Sequence, residues 1–201
     1  MKLAASVTRY FAILLLTIGY ASAADLSGSI TLVATPRLAS SGLSETVLFA
    51  RALPNGMHVG FVVNRPSDVT VAAAFPDQAP AQKVIDPIYL GGPVLPEMVF
   101  AVVRTPPHGA EKPMELMPGV VLVMDAPGID RIIETAPNEA RYFAGLFLWE
   151  PGELDEEVRG GAWEVRPADA GAVFSPHPEE LWKTLSEKLL ETRAGAQSFR
   201  G

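Results

Sequence analysis

The chain has no cysteine at all. Disulfides, thiolate nucleophiles, cysteine metal ligands and lipid attachment through an N-terminal cysteine are thereby excluded. Histidine is nearly as scarce: His58, His108 and His177 stand far apart, each beside turn residues, with no His-x-His or His-Glu-x-x-His spacing. No ligand pattern for zinc or a facial-triad metal exists, so neither a metal nor a cofactor is expected. Basic runs are missing too. The 16 Lys and Arg face 23 Asp and Glu, a formal charge of −7, which repels phosphate backbones and speaks against nucleic acid as a partner. There is no Gly-x-Ser-x-Gly elbow, the commonest sign of an activated serine, and no glycine-rich loop ending in Lys-Ser/Thr.

What is present begins with a leader. Lys2 and Arg9 precede an apolar run from Tyr10 to Tyr20, and Ala21-Ser22-Ala23 supplies the small residues a signal peptidase reads. The run is well short of the roughly 20 apolar residues that span a bilayer. Residues 1–23 are expected to be a cleaved signal peptide, leaving no stable membrane anchor and a single exported domain over 24–201, periplasmic or secreted. Cleavage removes two cations and no acid, so 14 Lys and Arg remain against 23 Asp and Glu, and the formal charge moves from −7 to −9.

With 18 prolines and 17 glycines, the rest of the chain reads as short elements joined by enforced turns. Residues 29–35, 46–53 and 59–64 are β-rich, and Pro54-Asn55-Gly56 joins the last two as an antiparallel hairpin. A short helix capped by Ser67 or Asp68 is expected over 69–75, then a surface loop to Pro87. Further strands are expected at 88–90, 99–105, 120–125, 141–149 and 162–166. Helices are expected at 128–135 with Asp125 as cap, at 153–159 with an acidic first turn, and at 178–192 with Leu181, Trp182, Leu185 and Leu189 on one stripe. Residues 195–201 are expected to fray. Strands and helices interleave irregularly, which favours α+β over a doubly wound parallel sheet.

Four blocks stand out in order: Gly60-Phe-Val-Val-Asn64-Arg-Pro66, Tyr89-Leu-Gly-Gly-Pro-Val94, Trp149-Glu-Pro-Gly152-Glu-Leu154 with Glu157, and Ala162-Trp163 followed by Phe174. Together they resemble the YqgE/AlgH family of bacterial proteins from about Ile30 to about Leu185. The resemblance implies an α+β fold whose branched, mostly antiparallel, partly barrel-like sheet is flanked by helices. It brings no established catalytic residues; one branch of the family is named for a regulatory effect. The chain departs from the family's usual pattern in its leader, at Ser40-Ser41-Gly42-Leu43, at Val102-Val103-Arg104 where a histidine is common, and at Gly145-Leu-Phe-Leu-Trp149.

The candidate ligand-binding residues are Asn64, Arg65, Gly91, Gly92 and Trp149; no catalytic residue is assigned. The Asn64 amide can meet a ligand or satisfy neighbouring backbone, and Gly91-Gly92 can offer N–H groups to an anion or simply form a turn. Trp149 can line a groove or sit in the core. The acids Glu150, Glu153, Asp155, Glu156 and Glu157 can do acid-base work or merely start a helix. The favoured reading is a non-enzymatic binding or accessory protein of the bacterial cell envelope, its partner an unidentified protein or small molecule. Two alternatives stand beside it: a hydrolase or transferase with a pocket near Asn64 and Glu150, and a transcriptional regulator, as the family's name suggests.

Overall fold

The Asn-Gly turn behaves as its chemistry dictates. In a computed structural model that describes residues 24–105, 108 and 113–187, β2 (Val47–Ala52) and β3 (His58–Val62) form an antiparallel hairpin, with Gly56 at φ +83 in the turn. Strands β1 (Ser29–Ala34) and β10 (Trp163–Pro167) extend it on one side. On the other, β3 pairs with β9 (Ala140–Trp149), and beyond β9 lie β6 (Val94–Val103), β8 (Val120–Val123) and β7 (Met114–Met117). A branch leaves this path where β5 (Pro87–Leu90) runs parallel to β9 and carries β4 (Pro66–Thr70) on its far edge. The sheet is thus mostly antiparallel, branched and curled into a half-barrel within an α+β fold.

Apolar residues cover both faces of the central strands, because both are buried. Inside the curl, Phe49, Phe61, Phe100 and Phe143 pack in stacked, tilted and edge-on pairs with centroids 4.7–5.5 Å apart, an aromatic cluster worth more than its buried area alone. The short helix α4 (Ala170–Val173) and helix α5 (178–187) plug this interior with Val173, Leu181, Trp182 and Leu185. Outside, α2 (Ala126–Thr135) lays Ile129, Ile132 and Ile133 on β6, β8 and β9, its first turn capped by the Asp125 carboxylate, which accepts the Gly128 N–H at 2.8 Å. Helix α3 (Glu153–Arg159) covers β1–β3 with Leu154. The last strand is tied back across the opening: Ser29 and Arg51 both donate to the Leu116 carbonyl of β7.

Several expectations need correction. The helix placed at 69–75 is only Val71–Ala74 (α1), and its cap is Thr70; Ser67 instead bonds Ile88 across the β4–β5 pair, holding 66–70 extended. The loop to Pro87 contains a 3₁₀ turn at Ala79–Lys83. Strand β6 starts at Val94, five residues early, because four residues bulge out between its two paired stretches. Strand β7, poor in β-branched residues, had no sequence signal. The expected leader at 1–23, the helix end at 188–192 and the frayed tail lie outside the described residues.

Candidate functional site

Asn64 follows β3, and both ends of its amide are engaged by the fold. Its Oδ1 accepts the Val47 N–H at 2.8 Å and its Nδ2 donates to the Glu45 carbonyl at 2.9 Å. The next residue, Arg65, donates through Nη2 to the Ser44 carbonyl (3.1 Å) and to Thr46 Oγ1 (2.6 Å). Its Nη1 and Nε carry no protein hydrogen bond among the described residues. One half of this guanidinium is structural and the other half is available.

Gly91 and Gly92 sit at the branch of the sheet. Gly91 donates to the Ala144 carbonyl of β9 (2.8 Å) and accepts the Val62 N–H of β3 (2.9 Å), so it wedges between strands that pair directly only at 58–60 and 147–149. A Cβ on Gly91 would press on the Gly145 carbonyl, one on Gly92 on Leu146, and one on Gly145, whose φ is +71, on the Gly92 carbonyl. Three glycines therefore let two chains cross at backbone distance.

Trp149 is 3% exposed and packs in the core under α3. Its indole N–H and that of Trp163 converge on one Glu157 oxygen, at 3.2 and 2.6 Å. The acidic run is divided among local tasks: besides Glu157, Glu153 accepts the Glu150 N–H at 2.9 Å across the first turn of α3. Glu150 itself is remote from Asn64. His58 pairs with Trp149, so Glu150 adjoins the start of β3 while Asn64 lies past its end, about 20 Å away at the usual rise per strand residue. The two residues therefore stand at opposite ends of β3.

What Arg65 and Gly92 do share is an apolar groove of about 470 Å³, walled by Leu43, Leu90, Pro93 and Phe147. Leu90 is 54% exposed there, unusual for a leucine on a strand beside the core. Asn64 and Arg65 together border a polar hollow of about 410 Å³ with Glu45, Glu179, Glu180 and Lys183. Among the described histidines, His58 is buried against the Leu26 carbonyl (2.9 Å), and His177 pairs loosely with Glu179 at 3.8 Å. No group of three or more His, Asp or Glu among the described residues could hold a metal ion.

Two residues that sequence reasoning passed over meet on the opposite face of β5. Tyr89 and Arg141 are both buried, with the guanidinium 4.6 Å from the phenol ring centroid, and both line a cavity of about 520 Å³. Burial raises the Tyr89 pKa, against the pull of the Arg141 charge. The available signal was a cation opening an otherwise apolar strand, Arg141 to Trp149.

Comparison with known proteins follows the same architecture. A family described as AlgH-like matches residues 31–192. A UPF0301 protein of Streptomyces coelicolor is 31% identical over 83% of this chain and 88% of its own length. A UPF0301 protein of Anaeromyxobacter dehalogenans is also 31% identical, over 79% and 85%. Among solved structures, the solution structure of the AlgH protein from Pseudomonas aeruginosa superposes with a TM-score of 0.67 at 26% identity, covering 80% of this chain and 87% of that one. A crystal structure of a Corynebacterium diphtheriae protein gives 0.64 at 26% identity, over 81% and 86%.

Proposed function

From the premise that this chain belongs to the AlgH-like family of bacterial proteins, we propose that it acts by binding and not by chemistry, as an accessory protein of the cell envelope that holds an amphiphilic acid beside Arg65 and Gly92. The observation that carries this reading is how the motif's polar groups are spent. Asn64 and Gly91 give their hydrogen bonds to the fold, leaving an apolar groove with one half-free guanidinium at its edge. An apolar body against Leu43, Leu90 and Phe147, with a carboxylate on Arg65, matches that division.

The envelope location rests on the leader-like residues 1–23, and mass spectrometry of the native protein tests it: a mature species beginning at Ala24 supports export. The binding reading is tested by titrating residues 24–201 with dodecanoate and with dodecanol. Saturable binding of dodecanoate, weaker for dodecanol and weaker again for Arg65→Gln, supports it. Equal binding of acid and alcohol, or none, overturns it. Direct action on DNA gains nothing from a formal charge of −7 with no basic run.

A further inference from the structure

The deeper of the two faces of β5 carries a site of a different kind. Arg141 is 6% exposed, and burying a cation this far is costly unless a counter-ion and hydrogen bonds compensate. Compensation here is incomplete. Nη1 donates to the Val173 carbonyl and Nη2 to the Ser175 carbonyl, each at 2.9 Å, while Nε has no partner among the described residues. Among the described residues the one acid in contact is Asp86, a single approach of 3.3 Å by a side chain that is itself 47% exposed. The Arg141 charge is thus held by neutral carbonyls and a ring face, with its anion out at the rim.

Tyr89 adds a second unspent group. The residue is 2% exposed, and its hydroxyl makes no hydrogen bond with any described residue, yet it is not among the side-chain atoms sealed away without a partner: what little of Tyr89 is open faces the cavity it lines. Tyr89 and Arg141 border the same cavity, whose rim carries Asp86 and Glu139 and whose walls include Pro87 and Pro176. Proline walls have no N–H to offer and little freedom to collapse inward. The cavity therefore presents hydrogen-bond donors and positive charge in its depth, and negative charge at its mouth.

We propose that this cavity binds a small zwitterion of amino-acid or dipeptide size, with its carboxylate toward Arg141 and the Tyr89 hydroxyl and its ammonium toward Asp86 and Glu139. A plain anion would meet the two rim acids unfavourably, and a plain cation would meet Arg141. A zwitterion satisfies both ends at once. The site lies across β5 from the Arg65 groove and does not depend on what that groove binds.

The test is NMR titration of residues 24–201 with the twenty free L-amino acids and L-alanyl-L-alanine at millimolar concentration. At least one should shift the amide resonances of 86–89 and 138–141 saturably. Once the zwitterion is identified, its N-acetylated and amidated forms should each bind about tenfold more weakly, as expected for losing one charge-assisted hydrogen bond. Tyr89→Phe, which removes a hydroxyl with no hydrogen-bond partner among the described residues, should weaken binding several-fold without unfolding the protein, and Arg65→Gln should leave it unchanged. No shift from any probe, equal affinity for the N-acetylated form, or full affinity in Tyr89→Phe would each overturn the assignment.

Discussion

Gly91 and Gly145 meet backbone to backbone at the point where the sheet divides: a Cβ on Gly91 would strike the Gly145 carbonyl, well inside the 3.0 Å that real Cβ atoms keep. The Gly-Gly-Pro motif is thus the hinge of the branch, letting β5 enter between β3 and β9.

Stability should expose that role. Gly91→Ala must push two backbones apart, and Gly145→Ala also forces alanine to φ +71. Each is expected to cost about 3 kcal/mol, a large part of a domain's usual margin. Gly28→Ala, with nothing within 4 Å of its new methyl, should change stability by less than about 0.5 kcal/mol. Urea unfolding of the three variants checks the ranking.

Asn64 separates a structural from a ligand role. Asn64→Ala leaves the Val47 N–H and the Glu45 carbonyl without their partner and should destabilise by about 1–3 kcal/mol. Asn64→Asp keeps the first bond but sets a carboxylate oxygen against the second carbonyl, so it too should destabilise. Unchanged urea midpoints combined with lost ligand binding would instead make Asn64 a ligand contact.

These residues show what the sequence could and could not tell. The hairpin turn, the α2 cap at Asp125 and helix α3 were legible because local chemistry alone decides them: an Asn-Gly pair, a carboxylate before a helix, an acidic first turn. The branch was legible only through the family resemblance, since Gly91 and Gly145 are far apart in the chain. Strand β7 was not legible, because it owes its place to neighbours such as Ser29 and Arg51 reaching the Leu116 carbonyl. The Tyr89–Arg141 cavity was hidden for the same reason: its parts come from β5, β9 and the segment before α5.

Glu157 joins two tryptophans through one oxygen. Glu157→Ala would leave both indole N–H groups without an acceptor, at about 2–3 kcal/mol. A red shift of tryptophan emission in the folded variant should accompany the lower urea midpoint, as water reaches the rings. Glu157→Gln, which keeps an acceptor but loses its charge, should fall between.

Alkaline pH should unfold the protein through two buried phenols. Burial raises the pKa of Tyr142, whose hydroxyl donates to the Pro137 carbonyl at 3.3 Å, and that of Tyr89. The native state then holds these protons more tightly than the unfolded chain. Their stabilising contribution is complete below the ordinary tyrosine pKa of about 10 and is lost as pH rises through the elevated native values. Urea midpoints should fall steeply above about pH 10, less so in Tyr142→Phe, with tyrosinate absorbance appearing alongside unfolding.

Leu95 offers a test of stored strain. It stands at φ +52, a left-handed conformation that a bulky side chain rarely adopts, in the bulge that opposes Gly145, and it is 56% exposed. Little packing is lost by replacing it, and asparagine tolerates this conformation far better than leucine. Leu95→Asn should therefore raise stability by about 0.5–1 kcal/mol, read as a higher urea midpoint at unchanged slope. A strained, exposed leucine is the kind of feature a binding surface retains against its own stability. If Leu95→Asn is stabilised but loses dodecanoate binding, the bulge is part of the groove's function; if it is destabilised, Leu95 is held by packing that its exposure does not reveal.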